Sequence, residues 1–150
     1  MAIILAATTR SLLIAVISIA VFSLIVEIPI NNTFYIFVFG FLSSFILGSL
    51  GFITGLWAEK FDHTATVTNF IITPLSFLSG VFYSVDKLPN FFQTISYMNP
   101  FFYMIDGFRY GFLGASDGPI GFGIIYLTIL SFIMWFIAFY LYKKGYKIKS

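Results

Sequence analysis

Few residues in this chain carry groups that could do chemistry, and most of them fall in one stretch. Asp106 and Arg109 stand three apart, so a carboxylate and a guanidinium can pair on one side of a helix. The pair reads equally as a structural ion pair that seats a short helix at a membrane interface and as a polar gate at the mouth of a path. Asn99-Pro100, just before it, joins a favoured helix cap to a favoured first helical residue, and Leu88-Pro89 marks an earlier break. Glu27 is a carboxylate within an apolar run, a functional candidate by default, although near the end of that run it can simply reach the headgroups. His63 can titrate near neutral pH, but it sits among Glu59, Lys60 and Asp62, a sequence that reads as a solvated turn. A single His and no Cys exclude a multi-His or Cys metal site, a disulfide and a thiolate nucleophile. No phosphate-loop, H-E-x-x-H or G-x-S-x-G pattern occurs, and Gly114 to Gly118 reads as a turn-rich joint. The chain therefore reads as a non-enzyme with no cofactor of its own, unable to hydrolyse ATP alone.

The elements that position these residues follow from composition. Of 150 residues 59% are hydrophobic and only 9% charged, with 21 Phe and a mean hydropathy of +0.98. Soluble domains carry about a quarter charged residues, so a water-soluble fold is excluded. Disorder is excluded by the aromatic content. The net charge of +2 leaves no basic block for a nucleic-acid footprint. The expected class is an all-α integral membrane protein with four transmembrane helices, near residues 3–28, 34–57, 64–83 and 120–142, all in one domain over 1–150. The first apolar run lacks a small-residue cleavage site and is expected to remain as a helix.

In the second span Gly40, Ser44, Gly48, Gly51 and Gly55 share one face, which suits tight packing in a bundle and, as a sharper alternative, a face that slides in a transport cycle. Pro74 interrupts the third span as a kink, with Thr73 and Ser76 placed to satisfy the released backbone. Arg10, Lys60 and the tail lysines Lys143, Lys144, Lys147 and Lys149 place both termini in the cytoplasm, with Lys87 and Arg109 outside. Asn31-Asn32-Thr33 forms a short turn and matches the short, common glycosylation pattern.

Residues 84–118 are apolar yet broken into pieces too short to span. Phe91, Phe92, Ile95 and Met98 recur at helical spacing, and after Asn99-Pro100 the residues Phe101, Ile105, Phe108 and Phe112 line one helix face. That second piece is roughly 20 Å long, against a hydrocarbon core of about 30 Å. The expectation is a re-entrant or interfacial helical hairpin between the third and fourth spans, on the outer side. Irregular backbone at membrane depth is tolerated only against protein or a water-filled cavity.

The stretch from Pro74 to Arg109 resembles the C-terminal signature of type-2 ABC transporter permeases, the membrane subunits of exporter-type ATP-binding cassette systems. A P-L-x-F-x-S-G-x-F-Y segment falls on Pro74 to Tyr83, an L-P on Leu88-Pro89, an N-P on Asn99-Pro100, and a Y-x-x-[DE]-x-x-R element on Tyr103, Asp106 and Arg109. The last span and a basic tail follow. The likeness extends more weakly over the whole chain, with Arg10 matching a family Arg at the start of the third helix. Family members usually have six spans, so the resemblance implies that this chain starts at the third, without the first two helices and the coupling segment between them.

The resemblance implies a permease subunit of an ABC exporter in the inner or plasma membrane. It would act as a homodimer or paired permease, with a separate ATP-binding subunit that supplies ATP and Mg. Pro89, Asn99, Pro100, Tyr103, Asp106 and Arg109 would form an outer gate. Two alternatives from other classes are a four-helix proton-coupled multidrug antiporter using Glu27, and a non-transporting accessory membrane subunit.

Overall fold

A computed structural model of the chain describes residues 2–58 and 61–144. Glu59, Lys60, Lys147 and Lys149, read above as part of the polar link and tail, lie outside them. All regular structure among the described residues is helical. Three helices are long and apolar enough to cross a membrane: α1 (Ala2–Ser23), α2 (Thr33–Trp57) and α7 (Ile120–Lys143). α1 stops short of the expected residue 28. Pro29 has no N–H to donate and holds the residue before it out of the helical region, and the chain runs from Ser23 through turns at 24–26 into an extended loop.

The third expected span, termed the kinked run for the kink that Pro74 implies, is not a single α-helix over 64–83. It comprises α3 (Phe61–Val67), a π-helical turn (Thr68–Ile72) and α4 (Thr73–Phe77), and the backbone at Val67, Ile72 and Thr73 stays right-handed helical throughout. Pro74 explains the π turn. Its ring cannot accept the carbonyl of the preceding turn, and the widened turn directs both the amide and the hydroxyl of Thr73 to the Thr68 carbonyl. The run ends at Phe77. The following turn needs Gly80, whose φ of +79° is strained for any side chain. At 1.5 Å per residue the run is roughly 25 Å long, short of Tyr83 and near the lower limit for a span.

In residues 78–119, where a hairpin of two short helices is expected, the structure has a 3-10 turn (Val85–Lys87), then α5 (Asn90–Met98) and α6 (Pro100–Leu113). α6 turns a different face inward than its aromatic stripe suggests. Phe102, Tyr103, Asp106, Gly107 and Gly111 are buried, while Phe101, Ile105, Phe108 and Phe112 are half-buried. The glycines decide this. A Cβ at Gly107 would overlap the Phe39 ring, and one at Gly111 would meet Ile36, backbone included. α6 therefore lies directly against α2. Asn31 and Asn32 seal its far end by donating their amides to the carbonyls of Gly111 and Phe112, while Asn32 caps α2 through Phe34 N at 3.1 Å.

α2 is the central element, packed on by α1, α6 and α7. The core joins Phe39, Ile46, Phe102, Tyr103, Met104 and Leu127. Rings continue it from Tyr97 to Phe102, Tyr103 and Tyr126, each 5.1–5.2 Å from the next. Of the small-residue face of α2, a Cβ at Gly48 would lie 3.4 Å from Ala7 and one at Gly40 would lie 3.4 Å from Phe108 and 3.8 Å from Leu12, whereas one at Gly51 or Gly55 would meet open space.

These contacts separate the glycines by their part in packing. Gly107→Ala and Gly111→Ala are expected to destabilise the purified protein by roughly 1–3 kcal/mol through overpacking. Gly51→Ala is expected to be neutral or slightly stabilising, within about 1 kcal/mol. Unfolding by graded SDS in mixed micelles measures both, and equal losses at all three positions would contradict the α2–α6 seam.

Candidate functional site

A helix leaves its last carbonyls without intrahelical donors. The kinked run ends in this situation at Phe77. Several acceptors at its end and in the turn after it are met by side chains from the segment that follows. Asn99 Nδ2 donates to the Leu75 carbonyl at 2.6 Å, and the Tyr83 hydroxyl donates to the Phe77 carbonyl at 3.0 Å. Ser96 Oγ donates to the Leu78 carbonyl at 3.0 Å, and Arg109 Nη2 to the Gly80 carbonyl at 2.6 Å.

Asn99 uses both ends of its amide. Its Oδ1 accepts the Phe101 amide at 3.0 Å and so starts α6, while its Nδ2 holds the kinked run, all at 3% exposure. Pro100 suits the position beside it because it has no N–H to satisfy. The tip of the hairpin is also held from the other side, where the Tyr126 hydroxyl donates to the Met98 carbonyl at 3.0 Å. Tyr126 lies about 9 Å along α7 from its first residue. Pro89 precedes α5 and accepts the Phe92 amide at 2.9 Å. Tyr103 stands in the aromatic core.

Asp106 and Arg109 do approach each other, but at 3.9 Å this is their weaker partnership. Asp106 is 2% exposed and serves the backbone instead, accepting the amides of Asp117 at 2.8 Å and Gly118 at 3.0 Å. Arg109 pairs with Asp117 at 3.2 Å. The same Asp117 oxygen accepts Ser84 Oγ at 2.9 Å and the Val85 amide at 3.0 Å. Sequence reasoning missed Asp117. The available signal was an Asp-Gly-Pro turn, whose Asp side chain commonly binds nearby backbone. Through Arg109 and Asp117 one network joins the end of the kinked run, the Ser84-Val85 turn, α6 and the α6–α7 joint.

The two carboxylates are tuned in opposite directions. Burial pushes Asp106 above the usual carboxylate range despite its two amide donors. Burial also opposes the charge on Asp117, but the Val85 amide, the Ser84 hydroxyl and Arg109 outweigh it and hold that carboxyl below its ordinary value. Asp117 therefore contributes stability above the ordinary carboxylate range, which is lost as pH falls through its lowered folded value.

Beside this network a groove of ≈ 490 Å³ runs between α1, α2, the kinked run and α6, with Ser43, Ser44 and Ser76 among otherwise apolar walls. No cluster of metal-ligating side chains occurs among the described residues. Glu27, the carboxylate required by an antiporter, lies in the loop beyond α1 and is exposed. The arrangement can hold backbone and offer a partly polar surface.

The sequence profile of the ABC-2 type transporter family matches residues 1–113. The chain belongs to the ABC-2 type transporter family. It is 34% identical over 143 residues to the inner membrane transport permease YadH of Escherichia coli (strain K12), which covers 94% of this chain and 55% of the relative. It is 29% identical over 97 residues to nodulation protein J of Sinorhizobium fredii, covering 65% of this chain and 37% of that protein. A third relative, nodulation protein J of Rhizobium leguminosarum bv. trifolii, is 36% identical over 73 residues, 49% of this chain and 28% of the relative. The chain thus spans about half the length of the Escherichia coli permease. No solved structure matches it. Family and helices together make this a membrane protein with a transport-permease domain.

In the permease, Arg109 and Asp117 are expected to be energetically coupled. A double-mutant cycle with Arg109→Gln and Asp117→Asn, read by SDS unfolding at pH 7, should give a coupling of about 1 kcal/mol or more. At a pH well below the ordinary carboxylate range the coupling should shrink as Asp117 protonates. A coupling near zero at pH 7 would show the pair to be incidental.

Proposed function

We propose that the chain is the transmembrane domain, over 1–150, of a permease subunit in an ATP-binding cassette exporter. Cargo moves outward on ATP hydrolysed by a separate ATP-binding subunit, so ATP and Mg belong to that partner and this chain carries no cofactor. The subunit works as a homodimer or paired permease in the inner or plasma membrane and takes no nucleic acid. Its four spans are α1, α2, the kinked run and α7, with both termini cytoplasmic. The basic residues after α7 favour that orientation.

The observation that carries this reading is the capped end of the kinked run. A hairpin whose tip reaches into the layer of α7, with its polar groups occupied by backbone carbonyls, makes a plug of protein at a depth where lipid would exclude loose backbone. It would cap the outer side of a path between two permease copies, with Pro89, Asn99, Pro100, Tyr103, Asp106 and Arg109 as its frame. The π turn and Pro74 below it would serve as the hinge through which nucleotide-driven motion reaches the cap. Among the described residues the antiporter reading finds no carboxylate within α1, α2 or α7, since Glu27 lies outside α1.

The chain has no native Cys, so crosslinking is clean. Met98, 72% exposed beside Asn99, is replaced (Met98→Cys) in the permease assembled with its ATP-binding subunit. The yield of disulfide crosslinks between the introduced thiols of two copies is expected to change severalfold between the nucleotide-free and ATP-bound complexes. The same yield in both states would remove the capping role.

A further inference from the structure

Arg10 is placed by the contacts of α1 with α2. Ala7 meets Gly48 and Leu12 meets Gly40, so Arg10, between them, stands level with Ser43 and Ser44. From there α2 continues about 20 Å to Trp57 in one direction and about 16 Å to Thr33 in the other. Arg10 therefore belongs near the middle of a core about 30 Å thick, not at the cytoplasmic end expected from the sequence. Its side chain is exposed on the face of α1 turned away from α2. Ile3, Leu13, Ile14 and Ile17, on the same side, are each more than half exposed. Among the described residues Arg10 has no ion pair or hydrogen-bond partner.

A guanidinium at that depth cannot face hydrocarbon unpaired. The carboxylates described near that depth are already taken: Asp106 is buried and accepts the amides of Asp117 and Gly118, and Asp117 is held by Arg109, Ser84 and the Val85 amide. Glu27 lies in the α1–α2 loop, and Asp62 stands at the start of α3, beyond the end of α2. A long arginine stem also reaches only a few ångströms along the helix, well short of the roughly 20 Å to the Trp57 level.

We infer that the Arg10 face of α1 borders a water-filled passage and that Arg10 is its anion-attracting group, favouring cargo that carries a phosphate or carboxylate on an apolar body. The apolar body fits the walls made by Leu13, Ile14 and Ile17, and the anion fits the one charge among them. This inference rests on the transport reading above and adds the class of cargo to it.

Single-cysteine variants Ile14→Cys and Ile17→Cys, four and seven residues on and so on the face of Arg10, test it in the full-length permease with its ATP-binding subunit in membrane vesicles. They are treated with membrane-impermeant thiol reagents of matched size, one negatively and one positively charged, without nucleotide or cargo. Both variants are expected to label, with the negative reagent favoured. Arg10→Gln should lower the negative-to-positive rate ratio roughly tenfold at position 14, the effect of one unit charge about 6 Å away in water on two reagents of opposite charge, and about fourfold at position 17, about 10 Å away. Arg10→Lys should keep the ratio, which separates charge from misfolding. Absence of labelling would mean that lipid or another protein segment covers the face, and an unchanged ratio in Arg10→Gln would mean that Arg10 does not govern the passage. Either overturns the inference. ATP-dependent efflux is scored separately, so failure of the exporter reading shows as absent transport with labelling intact.

Discussion

The kinked run ends with carbonyls beyond the reach of its own amides, and the rest of the outer half is arranged around that constraint. Pro74 accompanies the π turn, Gly80 turns the chain away after Phe77, and the carbonyls of Leu75, Phe77, Leu78 and Gly80 take donors from the segment that follows. Asn99, Ser96, Tyr83 and Arg109 answer them one by one. An unmet buried carbonyl costs about 1–3 kcal/mol, so separating the hairpin from this end is costly wherever the carbonyl it leaves is buried. The cap and the end of the run therefore behave as one body.

The glycine seam sets what that body can move against. α6 is pressed onto α2 at Gly107 and Gly111 and sealed at its far end by Asn31 and Asn32. α5 is packed without a glycine seam. Phe91, Phe92 and Met98 are exposed on it, while Ser96 ties it to the kinked run, Met98 to α7 and Tyr97 to Phe102 of α6.

Much of this was legible in the residue order. Asn99-Pro100 announced a helix start because cap and first-turn chemistry are local, and α6 begins there. The long apolar helices were legible because hydrophobicity over twenty residues has few other meanings. Contacts between distant segments were not legible. The Asp106–Arg109 spacing suggested a pair, yet each found a stronger partner eleven or eight residues away, across a turn whose path no spacing rule gives. The aromatic stripe of α6 suggested its buried face, but Gly107 and Gly111 set it, because close approach depends on the opposing surface of α2. The depth of Arg10 likewise follows from the register of α1 on α2 and not from its distance to the first residue.

The most direct test of the central constraint is hydrogen–deuterium exchange, by mass spectrometry, of the full-length permease in bilayer discs, comparing the native chain with Asn99→Ala. If the hairpin and the end of the kinked run are one body, losing the Leu75 partner should raise exchange in 73–80 and in 90–98 together, while 33–50 in α2 and 120–140 in α7 stay protected. Faster exchange limited to the first turn of α6, with 73–80 unchanged, would contradict the account, since Asn99 would then act only as a local helix cap.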